Sequence, residues 1–524
     1  MNRWGSKPSR RATIIAAGAV SALALTAVPI TASAAPGGNA CANRNNNTIA
    51  KIMECVTAEG VHEHLQAFQR IAEENGGNRA SVTPGYDASV DYVVDVLEKA
   101  GWNVWEDTFD FEQQNLPLLE VDGTEYLSGY FLGSAVGQVT GHITPVDLSL
   151  AAPANSTSGC EPGDFVGFPA GDVALIQRGS CNFSIKVENA AIAGASAVII
   201  FNQGDGGADR MDPFLGDLQP YQSPIPVVSA SFQAGSLFAS GTHTATIEHY
   251  APEVHPQSNV IAELPGRNND NVVMAGAHLD SVFEGPGIND NGSGSAALLE
   301  VAQNLSKLKP ENTIRFAWWA AEEDGLVGSQ SYVDRLPQAE LDRIALYLNF
   351  DMVGSPNYIF MIYDGDESGF PAPVVVPPGS VEIEDLFERY FTSIGEPYDD
   401  AEFSGRSDYE AFIFAGIPSG GLFTGAEDVK TAEQAAIWGG TAGAWLDPCY
   451  HQACDTLNNV SMKALEVNSD AIAMSVLAYS YSTELINGVK GKSIPGGLNL
   501  LDPAGPQGTT PASGGLAHDH APVG

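Results

Sequence analysis

Apolar positions recur at helical spacing over residues 61–75 (VHEHLQAFQRIAEEN), with Val61, Leu65, Phe68 and Ile71–Ala72 on one face. The segment GGNRASVTPGYD then reads as a loop. Residues 87–100 (DASVDYVVDVLEKA) predict a second helix, with Gly101 just past its end as a cap. Residues 102–112 alternate like a strand. From about 115 to 255 short β-type runs alternate with Gly, Pro and Asn turns. Within them GDVALIQRGSCNFSIKVENAAIAGASAVIIFN reads as strand, loop, helix, strand, the signature of a self-contained module. From 257 the rhythm becomes strand, loop, helix, with strands at 258–263, 271–277, 313–319 and 345–350 and helices at 293–306 and 324–335. Such alternation predicts an α/β fold: a mixed, mostly parallel sheet flanked by helices, interrupted by a β-rich α+β insert.

A chain of 524 residues exceeds what one core serves, so more than one unit is expected. The division expected is residues 1–35 as an export signal, 36–114 and 257–486 as two parts of one domain, 115–256 as the insert, and 487–524 as a flexible Gly/Pro-rich tail. The signal reading rests on Arg3, Lys7, Arg10 and Arg11, then an apolar run over 12–30, then Ala32-Ser33-Ala34 as a cleavage site. Its removal leaves 20 Lys+Arg against 64 Asp+Glu, a net charge of −44. Phosphate backbones and anionic lipids repel such a chain, which excludes nucleic-acid and membrane partners and leaves a secreted, monomeric protein as the expectation. Six cysteines in an exported chain imply three disulfides. Pairing sequence neighbours gives Cys41–Cys55, Cys160–Cys181 and Cys449–Cys454, one of fifteen connectivities. A cysteine zinc site lacks any C-x-x-C pair to support it.

The ends of the expected strands carry metal-ligand residue types. NVVMAGAHLDS delivers His278 and Asp280, GINDNGSGS delivers Asp290, and FAWWAAEEDG delivers Glu322 and Glu323. LYLNFDMVGS delivers Asp351, and DPCYHQAC delivers His451 beside Tyr450. Strand ends of one sheet converge on one crevice, so scattered residues can meet. Two histidines and three carboxylates suit two zinc ions if one carboxylate bridges. Asp280, two residues after His278, is placed to orient the imidazole from behind. Elsewhere the signals are weak. His62-Glu63-His64 lacks the H-E-x-x-H spacing, and no G-x-S-x-G occurs.

AGAHLDSV, GINDNGSGSAALLE, FAWWAAEEDGLVGS, LNFDMVGS, GRSDY, GGLFTGA, WGGTAGAWLDPCYHQACD and NSDA, with NGGNRASVTPGYDASVDYV near the start, resemble the secreted two-zinc aminopeptidases of the streptomycete leucine-aminopeptidase type. The insert is similar to a protease-associated domain, an arrangement that resembles the aminopeptidase Y branch. The resemblance implies a zinc-exopeptidase fold and removal of N-terminal Leu, Met or Phe from peptides. It implies that His278 and Asp351 hold one Zn²⁺, Glu323 and His451 the other, and that Asp290 bridges through a residue whose bond to Asn291 is cis. Glu322 would be the general base and Tyr450 the oxyanion donor. Arg406 and Gly405 would handle the substrate's amino end, while Met352 and Phe423 would line its first side-chain pocket. Glu466 and Asp470 fall near a family Ca²⁺ site, with Glu466 departing from the usual Asp. Two rivals share the architecture: a carboxypeptidase of the glutamate carboxypeptidase kind, and a non-catalytic receptor-like protein. The first needs a helical domain for which residues 487–524 leave no room, and the second loses ligands that are all present here.

Overall fold

The computed structural model describes residues 41, 43–151, 156–205 and 210–507. The expected signal at 1–35 lies outside them, as do residues 508–524 with His518 and His520.

One large sheet organises the molecule. Its strands are β1 (Asn103–Gln113), β2 (Glu253–Leu264), β3 (Asn268–His278), β4 (Asn312–Trp319), β5 (Ile344–Phe350), β6 (Met361–Tyr363), β7 (Asp399–Ala401) and β8 (Ser419–Phe423). They lie in the order β1-β2-β4-β3-β5-β8-β6-β7. The centre, β4-β3-β5-β8, is parallel, while β1, β2 and β6 join antiparallel. β4 and β5 are buried at every residue, as a sheet covered on both faces requires. The covering helices are α1 (Ala58–Glu74), α2 (Pro84–Ala100), α3 (Gly292–Leu305), α4 (Val327–Arg335), α5 (Ser380–Ile394), α6 (Tyr409–Phe414) and α7 (Met462–Tyr481). From β3 the chain passes to β4 on one side and then to β5 on the other. That reversal opens a crevice beyond the carboxyl ends of these strands.

Elements start and stop where local chemistry dictates. Thr57 and Thr83 cap α1 and α2 by accepting from Gly60 N–H and Tyr86 N–H, so both helices begin three residues before their apolar periodicity does. Gly101 ends α2 in the left-handed conformation at φ 94°. α4 begins at Val327 rather than at 324, because Gly325 (φ 103°) and Leu326 (φ 61°) form a left-handed turn first.

Between β1 and β2 the chain builds a separate seven-stranded sheet. Its order is Thr124–Tyr126, Leu118–Val121, Thr244–His249, Gly137–Pro145, Val173–Gln177, Ala197–Phe201, Val227–Ala230. The last four strands are parallel, and a hydrophobic cluster of its own covers each face of this sheet. Disulfides join Cys41–Cys55, Cys160–Cys181 and Cys449–Cys454. Among the described residues no helix is long and apolar enough to cross a membrane.

Within the expected tail, residues 487–524, the described part packs back on the large domain. Leu501 N–H and Ala504 N–H donate to Ser393 and Thr392 of α5, and Gln507 N–H donates to Tyr398 O. Backbone hydrogen bonds hold this stretch, which composition alone does not reveal.

Candidate active site

Five elements converge on the crevice. His278 is the last residue of β3, and Asp351 follows the last residue of β5. Asp290 lies just before α3, and its peptide bond to Asn291 is cis. β4 stops at Trp319, and Ala321 turns left-handed at φ 53° before Glu322 and Glu323. The two glutamates therefore project from a turn and not from extended strand. Tyr450 and His451 sit in the loop closed by Cys449–Cys454, with His451 at φ 55°.

His278 Nε2 lies 3.2 Å from Asp351 Oδ1 and 3.3 Å from Asp290 Oδ1. His451 Nε2 lies 3.2 Å from Asp290 Oδ2 and 3.0 Å from Glu323 Oε2. Asp290 thus offers one oxygen to each histidine. Four ligands held at 2.0–2.1 Å around a tetrahedral ion are separated by roughly 3.3 Å. The observed spacings match that edge length. Glu323 Oε1 is buried and accepts no hydrogen bond. The donor set, two imidazoles and three carboxylates, fits zinc. Glu322 Oε2 stands farther off, 3.8 Å from His278 Nε2, although geometry alone also groups Glu322 with His278 and Asp351 as a metal-holding set.

The residues behind this set hold it in place. The Asp280 carboxylate accepts from Glu322 N–H and Glu323 N–H, both at 3.3 Å, and reaches to 3.5 Å from His278 Nδ1. Ser407 Oγ donates to Asp351 Oδ2 at 2.7 Å. Asp455 accepts from Asn289 N–H and Asp290 N–H. Asp447 accepts from Asn289 Nδ2, and Asn459 Nδ2 donates to both Asp447 and Asp455. Fully buried Arg79 donates to the carbonyls of Leu279, Pro286 and Gly287, clamping the loop between His278 and Asp290.

The charges in this cluster work against one another. Burial drives the Glu322 carboxyl well above the ordinary range and Glu323 up to about 7. Burial also works against Asp290, but hydrogen bonds from His278 and His451 outweigh it and hold that carboxyl below the usual range. Burial opposes charge on both imidazoles as well. The surrounding carboxylates overcome it, raising His278, and Glu323 foremost lifts His451 to about 11. A divalent cation held by these residues would reverse this balance, favouring ionised carboxylates and neutral imidazoles.

Of the residues expected at the substrate end, Arg406 pairs with Glu427 at 2.8 Å and donates to Tyr450 Oη at 3.2 Å. Tyr450 stacks on His451 with ring centroids 3.8 Å apart. Gly405 adopts φ 79°, and a Cβ there would meet Glu410 Oε1 at 2.8 Å. Met352 is 3 % exposed at φ 49°, and Phe423 packs at the edge of the core. His64 is drawn into a separate cluster with Tyr92 and Gln303. The sequence reading passed over Arg79, Asp447, Asp455, Ser407 and Asp408. Asp408 is buried with Ser329 beside its carboxylate. GRSDY marked its neighbourhood, but nothing in a lone Asp announces burial.

A mixed sheet with a two-histidine, three-carboxylate cluster at the carboxyl ends of its central strands defines the class of metallopeptidases. Residues 259–476 match the model of peptidase family M28, and residues 145–238 match the PA domain. An aminopeptidase of Pseudomonas aeruginosa is 48% identical over 446 residues, 83% of each chain. Leucine aminopeptidase 2 of Trichophyton equinum is 44% identical over 427 residues, 80% of this chain and 83% of that one. The structure of a zinc aminopeptidase from Bacillus subtilis superposes with a TM-score of 0.61 at 25% identity, covering 80% of this chain and 94% of that one. The chain belongs to peptidase family M28 and is a zinc aminopeptidase carrying an inserted PA domain.

Proposed function

We propose that this enzyme binds two zinc ions and removes N-terminal residues, preferring large apolar ones, from peptides outside the cell. The observation that carries the reading is the Asp290 carboxylate, with one oxygen facing each histidine at ligand-edge spacing. In this reading His278 and Asp351 would hold one ion and Glu323 and His451 the other, with Asp290 offering an oxygen to each side. The zinc pair, when bound, supplies Lewis acidity that lets a water lose its proton near neutral pH and polarises the scissile carbonyl.

The chain's own groups do the rest. Glu322, set back from the ligand cage, is the general base: its buried carboxylate takes a proton from the attacking water and returns it to the departing amine. Asp280 fixes both glutamates through their backbone N–H groups, so ligand and base keep separate directions. Tyr450 Oη, oriented by Arg406, donates to the oxyanion as the carbonyl carbon becomes tetrahedral. Glu322 and Asp351 surround the substrate's ammonium with negative charge, while Met352 and Phe423 offer apolar surface to its side chain. The three disulfides fit an oxidising compartment and so support secretion. Calcium at Glu466 and Asp470 belongs to the same proposal. Asp470 Oδ1 is buried without a hydrogen bond, although Glu466 Oε2 is already engaged by Ala58 N–H at 2.6 Å.

The test compares Leu-p-nitroanilide with its N-acetyl form and measures zinc per chain in the mature protein. Hydrolysis of the free amine alone, with two zincs, is expected. One zinc, or cleavage from the carboxyl end of a peptide, would overturn the reading.

A further inference from the structure

A second group of carboxylates lies at the outer edge of the large sheet and shares no residue with the zinc cluster. Asp364 directly follows β6 and opens the loop Asp364-Gly365-Asp366-Glu367-Ser368-Gly369. Acidic or hydroxyl residues at the first, third and fifth positions, with glycine at the sixth, is the spacing of calcium loops. Glu384 reaches in from α5. Asp364, Asp366 and Glu384 each offer an oxygen, all within 4.8 Å of one another.

The loop turns around these groups. Asp364 Oδ1 accepts from Ser368 N–H at 2.9 Å, and Oδ2 accepts from Gly369 N–H at 2.8 Å and Phe370 N–H at 2.7 Å. Glu384 Oε2 accepts from Gly365 N–H and Asp366 N–H, both at 3.0 Å. Local turns of this kind would not by themselves call for an ion.

Asp400, on β7, is a separate observation. It is 8 % exposed, and its carboxylate accepts no hydrogen bond among the described residues. It pairs with Ile362 across the parallel β6–β7 ladder, which continues through Asp364 N–H to Ala401 O. Strand alternation therefore sets Asp400 and Asp364 on the same face. Its Oδ2 lies 2.6 Å from where a Cβ on Gly369 would stand, so the carboxylate is aimed at the loop. Among the described residues no ion pair reaches Asp364, Asp366, Glu384 or Asp400. A buried carboxylate without a hydrogen bond or counter-charge is costly, and a cation removes that cost. The donors are all oxygen, from one irregular loop, one helix and one strand. That set suits calcium, which tolerates irregular geometry, better than zinc or the strictly octahedral magnesium.

We infer that Asp364, Asp366, Glu384 and Asp400 form a calcium site that fastens the β6–α5 loop to the edge strand β7.

The pH response carries the same signature. Burial, then repulsion from Asp366, Asp364, Glu388 and Asp400, lifts the Glu384 carboxyl to about 9. Burial and Asp364, Asp399, Glu388 and Asp366 lift Asp400 to about 7. Carboxyls raised in the fold stabilise it at low pH, and that stability drains away as pH climbs from the ordinary Glu value of 4.5 toward about 9. Bound calcium abolishes the loss.

The test uses the zinc-loaded mature enzyme, titrated with CaCl₂ alone, with unfolding temperature and calorimetric binding as readouts. Asp470→Asn removes the other calcium candidate, and Asp366→Asn and Asp400→Asn remove this one. Asp400 makes no side-chain hydrogen bond, so its amide replacement is expected to fold. At 100-fold excess over Kd calcium should raise the unfolding temperature of wild type and Asp470→Asn by about 5 °C, and leave Asp400→Asn unshifted. Without calcium at pH 8, Asp400→Asn should melt above wild type. A shift of wild-type size in both Asp366→Asn and Asp400→Asn, or an equal shift with magnesium, would overturn the inference.

Discussion

Asp280 does more than its place behind His278 suggests. Its carboxylate carries the backbone N–H groups of both glutamates and faces the imidazole, so one side chain sets three others. Asp280→Asn keeps the shape and loses the charge, so zinc affinity or activity should fall about 10- to 100-fold, as groups supporting metal ligands usually show. Chelator titration of bound zinc, alongside turnover, checks this. That His278, Asp290, Glu323, Asp351 and His451 meet in one crevice was readable because most of them stand just after the ends of apolar strands of one sheet. Arg79 and Asp455 were not. Their roles depend on which carbonyls and N–H groups surround them in space, and an arginine in a Gly-rich segment looks the same whether exposed or buried.

Among the elements, β3, β4 and β5 could be read from their apolar runs, and α1 and α2 within a few residues from their apolar periods. α7 could not, since it is buried on nearly every face and shows no polar stripe. The short strands β6, β7 and β8 give too few residues to show a period. The Cys449–Cys454 loop is the element on which catalysis should depend most. It spans only five residues, so loop-closure entropy ascribes about 2 kcal/mol of stability to the bridge. Yet the loop carries Tyr450 and holds His451 in a left-handed conformation that the relaxed chain disfavours. The double variant Cys449→Ser/Cys454→Ser should therefore lose turnover by at least about tenfold beyond its modest loss of stability. Thermal unfolding and kcat, measured together, separate the two effects.

The whole molecule is strongly acidic, with a formal net charge of −40. Peptides carrying Lys or Arg beyond the first residues should be drawn to such a surface, and salt should weaken the attraction. Their kcat/KM is expected to fall several-fold between about 0.02 and 0.2 M NaCl, while that of Leu-p-nitroanilide stays nearly constant. Equal salt responses would remove steering from the account. That a β-rich insert interrupts the strand-helix repeats could be read from the change of texture, because the two differ in period.

The central claim is that neighbouring glutamates divide the labour, Glu323 holding metal and Glu322 moving the proton. The most direct measurement is zinc content and Leu-p-nitroanilide turnover of Glu322→Gln beside Glu323→Gln. Glu322→Gln should keep both zincs and lose about 10²–10⁴-fold in turnover, the scale of a lost general base. Glu323→Gln should lose one zinc. If Glu322→Gln sheds zinc while Glu323→Gln retains two, the assignment of the pair is reversed and the account is contradicted.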